Sequence, residues 1–297
     1  QEVVAAFEAA HPGVRVQLSF GSSGVFFSQL LRGLPADVFF SADAEFPRRL
    51  EEAGLVEPGT LRPYAVGRLV LWVRDDVLAA VVGPAQRAGA PPDAAPPVPG
   101  PALLRHPAVQ RLAIPNPVHA PYGRAALSLL QHYGLARPLP GPGPEAGPGA
   151  GATGGRGPEA PWGVATAPLE ARWDLSPLRE GKPSFELVLG ENAAQAAQLA
   201  LSGTGVGLIP LALARTEVME RSGRFWLAPL DSHLPIEQVS VVLRGRARPE
   251  VMAFYRFADS PEARAVLRRY GFLLPGPPGE QPGEGPAPAG DAGGSAG

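Results

Sequence analysis

Three short stretches carry the groups with which this chain could do chemistry: Phe20 to Gly24 (FGSSG), Asn116 to Gly123 (NPVHAPYG) and Gly190 to Ala193 (GENA). Each stands between an apolar run and a segment of helical periodicity, so each reads as a strand-to-helix junction. A helix start leaves backbone N–H groups without partners and sets the positive end of the helix dipole beside them. The residues at these starts are Ser22 and Ser23, Tyr122, and Ala193 beside Asn192. No lysine or arginine is expected at any of the three starts. If the three converge, they form a small pocket of neutral donors, which suits a fully ionised oxyanion. A proton-bearing anion such as phosphate would need an acceptor as well, and these turns offer only Glu191, expected to point outward. One junction alone means little, because Ser, Asn and Gly begin helices in most proteins. The signal is the set of three.

Enzymatic readings find less support. Gly21-Ser22-Ser23-Gly24 is one residue short of the G-x-S-x-G elbow. The histidines (His11, His106, His119, His132 and His233) show no metal-ligand spacing, and His119, as a base for Ser23, lacks an identifiable orienting carboxylate. There is no GxxxxGK[ST] loop and no GxGxxG after a strand, so nucleotide binding has no support. Asp37 and Asp43 flank an apolar run and read as one structural aspartate and one helix cap rather than an acid/base pair. The chain is therefore not expected to be an enzyme.

Around these junctions the periodicity lays out alternating strands and helices. Val14, Val16, Leu18 and Phe20 alternate as a strand, Phe26 to Leu31 recur as a helix stopped by Gly33, and Val38 to Phe40 form a short strand before a helix over 45–53. Tyr64 to Val73 reads as one long strand, Arg111 to Pro115 as a brief one, and the helix that follows has Pro121 near its start and Gly134 at its stop. Phe185 to Leu189, Val206 to Ile209 and Ile236 to Leu243 are further strands. Asn192 caps a helix that Gly203 should end, and two more helices run from Pro249 and Pro261. Residues 83–101 and 136–161 are Pro/Gly-rich insertions, the latter expected to be mobile, and the tail over 276–297 is expected to be disordered. Such alternation predicts α/β layers with mostly parallel sheet, whose ligands lie beyond the carboxyl ends of strands.

Composition bounds the partners. A net charge of −2 gives no footprint for nucleic acid or anionic membrane, and the absence of cysteine excludes disulfides and thiolate metal sites. No run of about 18 apolar residues is present to span a bilayer. Gln1 is not an initiator residue and Val3, Val4 and Phe7 already lie in a helix, so the chain reads as starting late, with any signal peptide upstream of what is visible.

With these stretches in hand, the chain resembles the bacterial molybdate-binding proteins that serve ABC transporters, a branch of the type II two-lobed periplasmic binding proteins. The motifs that carry the resemblance are SFGSSG at 19–24, GLPADVFFSAD at 33–43, NPVHAPYGRAAL at 116–127, GENAAQAAQLALSGTGVGLIPLALA at 190–214 and SPEARAVLRRYGF at 260–272. The resemblance implies two α/β lobes, each a mixed, mostly parallel sheet flanked by helices. Residues 1–73 and 240–275 would make lobe I and residues 74–239 lobe II, joined by crossing strands near Leu69–Val73 and Val239–Leu243.

It also implies a function: extracytoplasmic capture of molybdate, and of tungstate, for a membrane permease. The ligand would be held by the hydroxyl and amide of Ser23 and the amides of Tyr122 and Ala193, with Ser22 and Asn192 as further candidates. Molybdenum would be bound only as its oxyanion, with no direct protein ligand to the metal, no cofactor and no nucleic acid, by a monomer in the periplasm or anchored outside the membrane. Pro210 stands where some members carry a ligand-binding tyrosine. The family's opening strand and serine-bearing turn would precede Gln1; loss of two hydrogen bonds worth about 1.5–3 kcal/mol each would weaken binding roughly 10²- to 10⁴-fold. Other readings are a sulfate or other small-oxyanion carrier, and the ligand-sensing domain of a transcription regulator.

Overall fold

The computed structural model describes residues 1–83, 98–139 and 172–275. Two sheets organise them. In the smaller sheet, β10 (Glu237–Val242) lies between β1 (Val38–Ser41) and β2 (Arg62–Val66). Its pairings are antiparallel throughout, because β10 is the returning strand and runs against both neighbours. The expectation of mostly parallel sheet therefore does not hold in this half.

The larger sheet has the order β7-β4-β8-β3-β9, built from β3 (Leu69–Arg74), β4 (Arg111–Pro115), β7 (Glu186–Gly190), β8 (Val206–Pro210) and β9 (Gly223–Leu227). Here β4 is parallel to both β7 and β8, while β3 is antiparallel to β8 and β9. The chain passes from the small sheet to the large one at Gly67-Arg68 and returns between β9 and β10. The run read as one strand over 64–73 is thus two strands in different sheets. A continuous apolar run shows burial but not the pairing partner.

Helices cover both sheets. In the small half, α2 (Ser23–Leu31) and α3 (Glu45–Glu52) bury Phe27, Leu30, Phe46 and Leu50 against Phe39 and Val241. α10 (Pro249–Phe257) covers the other face through Val251 and Tyr255, and α1 (Glu2–Ala10) buries Phe7 against the rings of Phe254 and Phe257 beside α11 (Pro261–Arg269). In the large half the residues of β3 divide by parity. Leu69, Leu71 and Val73 enter the core under α4 (Asp75–Val82) and α5 (Pro121–His132), while Val70 and Trp72 enter the core under α7 (Ala193–Leu199) and α8 (Leu211–Ala214).

Three local departures have physical causes. Residues 14–22 form no strand and pair with none among the described residues, and Phe20 is 73% exposed. The amide of Val16 donates to Glu8 Oε1 at 2.8 Å instead. Alternation fixes which side chains share a face, and a strand also needs a ladder partner. α7 continues through a π-helical turn over Ala200–Thr204 and ends at Gly205, which adopts φ +72°, rather than at Gly203. A two-residue ladder joins β5 (Arg137–Pro138) to β6 (Trp173–Asp174) at the base of the Gly/Pro-rich insertion. Of the insertion read as mobile over 136–161, Arg137–Pro138 form β5, and 140–161 lie outside the described residues, as do 84–97 of the first insertion and the tail at 276–297 with the expectation of disorder placed on it.

His233, on the return to β10, gives a pH prediction. Its Nδ1 donates to the Leu234 carbonyl at 2.7 Å, and its Nε2 is buried without a partner among the described residues. Burial, and secondarily Arg68, push the imidazole pKa down against the Leu234 carbonyl and Asp231. An unfolded histidine takes up its proton near pH 6.5, so the unfolded chain binds more protons than the native one as pH falls below that value. Stability is then lost on acidification. The urea midpoint is expected to fall between pH 7 and pH 5, and His233→Gln is expected to flatten that slope.

Candidate functional site

The three predicted junctions meet. The amide of Gly24, in the first turn of α2, donates to the carbonyl of His119 at 2.9 Å, and the Ser22 hydroxyl donates to the same oxygen. His119 lies in the loop before α5, where Asn116 Oδ1 accepts from the Val118 amide at 3.1 Å. Its ring Nε2 donates to the Glu191 carbonyl at 3.0 Å, and the Asn116 amide donates to the Gly190 carbonyl at 2.7 Å. His119 therefore bridges the starts of α2, α5 and α7. Glycine at position 24 permits this, since a Cβ there would lie 2.9 Å from His119 Cα, Cβ and O.

Each helix start keeps an amide free. Pro121 holds the first position of α5 and has no N–H, so the first available amide is that of Tyr122. In α7, Asn192 Oδ1 accepts from the Gln195 amide at 2.9 Å while Gln195 Oε1 accepts from the Glu191 amide at 2.5 Å, a reciprocal cap that leaves the Ala193 amide over. In α2 the Gly24 amide is taken by His119, and that of Ser23 is not. Among the described residues none provides an acceptor for the amides of Ser23, Tyr122 or Ala193. The Ser23 hydroxyl accepts from the Ala42 amide at 3.0 Å, which orients its oxygen and leaves its proton to donate elsewhere. The structure thus commits the Ser22 hydroxyl to the His119 carbonyl and the Asn192 side chain to a local cap, and leaves Ser23, Tyr122 and Ala193 with donors to offer.

The Tyr122 side chain has a separate place. Its ring is buried, its hydroxyl packs against Gly67 at the crossing between the sheets, and burial, then Tyr64, pushes its pKa upward. What it leaves at the start of α5 is its backbone amide, which has no acceptor among the described residues.

A cation stands closer than expected. Arg124 is in the first turn of α5, two residues after Tyr122, and it pairs with Asp43. Asp43 also accepts from the Phe46 amide at 3.2 Å and from Ser41 Oγ at 3.1 Å, so it caps α3 as read and pairs with the arginine as well. Burial pushes the Asp43 carboxyl above its ordinary range, against the pull of Arg124 and of the Phe46 amide. Desolvation offsets much of the attraction in a buried pair of this kind, so it is weak evidence for stability. Asp37 instead pairs with Arg248 at 3.0 Å. Sequence reasoning missed the Asp43 partnership because the two residues are 81 positions apart, although Arg124 sits within PYGRAA.

Catalytic readings lose their geometry. The His119 ring Nε2 turns to Glu191, meeting its carbonyl at 3.0 Å and its carboxylate at 3.5 Å, rather than to Ser23, and the Glu191 side chain is 74% exposed. Among the described residues no group of three or more His, Cys, Asp or Glu could hold a metal ion.

The sequence pattern of the family described as bacterial extracellular solute-binding protein matches residues 1–273. The chain is a bacterial extracellular solute-binding protein. Among curated relatives of this solute-binding protein is the molybdate-binding protein ModA of Rhodobacter capsulatus, 28% identical over 264 residues, which cover 88% of this chain and 78% of the relative. ModA of Azotobacter vinelandii is 29% identical over 264 residues, 88% of this chain and 80% of the relative. The solved structure of the periplasmic molybdate-binding protein from Azotobacter vinelandii superposes with a TM-score of 0.65 at 25% identity, covering 93% of this chain and 94% of that one. The sulfate-binding protein SubI of Mycobacterium tuberculosis shares the fold, with a TM-score of 0.58 at 16% identity over 91% of this chain and 80% of that one. The solute-binding family binds rather than transforms its ligands, and its extracellular character sets the work of this chain outside the cytoplasm. No described helix is long and apolar enough to cross a membrane.

Proposed function

We propose that this solute-binding protein captures molybdate, and tungstate with it, and hands the oxyanion to the membrane permease of an ABC importer. The observation that carries the reading is the meeting of three helix starts, each with an amide that no described residue accepts from, in a chain 28–29% identical to two molybdate-binding proteins over 88% of its length. Ser23 gives its amide and hydroxyl, and Tyr122 and Ala193 give their amides. The donors are neutral and the nearby Arg124 is balanced by Asp43, so the site favours an anion that carries no proton and needs no acceptor. Molybdate and sulfate share charge and shape, and size alone separates them. The protein works as a monomer, in the periplasm or tethered outside the membrane.

Calorimetric titration with molybdate, tungstate, sulfate and phosphate tests this. Molybdate and tungstate are expected to bind, sulfate more weakly, and phosphate not at all; a preference for sulfate would make the protein a sulfate carrier. Ser23→Ala removes one hydrogen bond to a charged ligand, worth about 1.5–3 kcal/mol, so molybdate affinity is expected to fall roughly 10- to 150-fold. The same change leaves the Ala42 amide without its acceptor, and the melting temperature is expected to drop by a few degrees at most.

A further inference from the structure

We propose that the Asp43–Arg124 ion pair is the latch between the two halves of the molecule, which makes both residues positioning residues for oxyanion capture. The proposal rests on the solute-binding reading above and adds to it the device that sets the spacing of the donors. Asp43 follows β1 of the small sheet, and Arg124 belongs to α5, which packs on the large one. The surroundings of the guanidinium come from the opposite half: Asp43, Glu45 at 3.9 Å, and the ring of Phe46, whose centroid lies 5.3 Å from Cζ. The two paired side chains are only 8% and 13% exposed. Among the described residues no other arginine of one half pairs with a carboxylate of the other.

The placement ties this pair to the binding groups on both sides. Arg124 is two residues beyond the Tyr122 amide, and Asp43 adjoins Ala42, whose amide holds the Ser23 hydroxyl at 3.0 Å. Fixing Asp43 against Arg124 therefore fixes Ser23 relative to Tyr122. A buried ion pair suits this task because a displaced arrangement leaves two desolvated charges unmatched, whereas separation of the halves returns both to water. The Ser22 and Gly24 bonds to the His119 carbonyl add neutral contacts across the same seam.

The chain contains no cysteine, so a pair of introduced thiols can be spin-labelled cleanly. Glu52→Cys on α3 and Gln131→Cys on α5 are both exposed and report the separation of the halves by pulsed electron resonance. In this labelled background the unlatched variants are Arg124→Gln, Asp43→Asn, and the two together. The expected result is a short, narrow distance for the parent and a longer, broader one for each single variant, with molybdate affinity at least about 30-fold weaker, the lower end of the loss seen when one partner of a desolvated charge pair is removed. The double variant, which sets a neutral amide pair in the same place and keeps an oxygen to cap α3, is expected to recover most of the distance and affinity. Its recovery also separates a latch from simple misfolding. Parental distances and affinities in both single variants would overturn the proposal, as would a double variant no better than the worse single. Should the parent bind no molybdate, the oxyanion reading fails, while the distances in the free protein still decide for or against the latch.

Discussion

Gly123→Ala is expected to weaken molybdate binding at least about tenfold and to lower stability as well. A Cβ on residue 123 would overlap the Pro115 carbonyl oxygen and lie 2.7 Å from Pro117 N and 2.9 Å from the Asn116 carbonyl carbon. All three are backbone atoms at the end of β4, so no side chain can swing aside to relieve the clash. The start of α5 has to move instead, and the Tyr122 amide moves with it. Overpacking of this kind destabilises by about 1–3 kcal/mol, and loss of a well-aligned bond to a charged ligand contributes about 1.5–3 kcal/mol to affinity. Gly203→Ala is the control. Nothing lies within 4 Å of a Cβ there, so that variant is expected to keep parental binding and melting behaviour. Calorimetry and thermal melts on both proteins separate a displaced helix start from a general intolerance of added methyl groups.

The second large effect is expected at Trp72, where replacement by alanine should lower stability by about 3–5 kcal/mol. The indole is fully buried in the middle of β3, its Nε1 donates to the Met219 carbonyl at 3.1 Å, and it packs against Val70, Ile209 and the small residues of α7 in one core of the large sheet. The same strand carries Leu71 and Val73 into the other core, so the cavity opens where β3 joins both layers. Against a total of about 5–15 kcal/mol this is a large share, equivalent to a fall in melting temperature of roughly 6–20 °C. Because the site residues lie on other elements, a folded Trp72→Ala protein at low temperature is expected to retain molybdate binding. A melt that shifts by less than about 2 °C would mean that the strand is held otherwise than by this core.

How much of this was legible in the sequence differs by the range of the interaction. The helix starts were readable because their signals are local: Pro121 without an N–H, Asn192 with a hydrogen-bonding side chain, and serines beside glycine at 21–24. Gly134 and Gly33 marked helix ends correctly, and both adopt positive φ. Between Gly203 and Gly205 the sequence offered no choice, since the helix runs on through a π-helical turn before its left-handed glycine. Pairing was less readable. The alternation over 14–20 was a sound statement about side-chain faces that carried no information about a ladder, and the apolar run over 64–73 concealed a change of sheet at Gly67-Arg68. The bond from Gly24 to the His119 carbonyl and the pairing of Asp43 with Arg124 were not legible, because each joins residues about 80 to 95 positions apart through the fold alone.

The most direct measurement of the central claim, that three helix starts, each with an amide left over, form one oxyanion site, is molybdate titration monitored by amide chemical shift. Saturating molybdate is expected to move the ¹⁵N–¹H signals of Ser23, Tyr122 and Ala193 together, with one common midpoint, and to leave those of Gly24 and Gln195 comparatively still because His119 and Asn192 already hold them. Shifts confined to one of the three junctions, or none at any while molybdate still binds, would contradict the account.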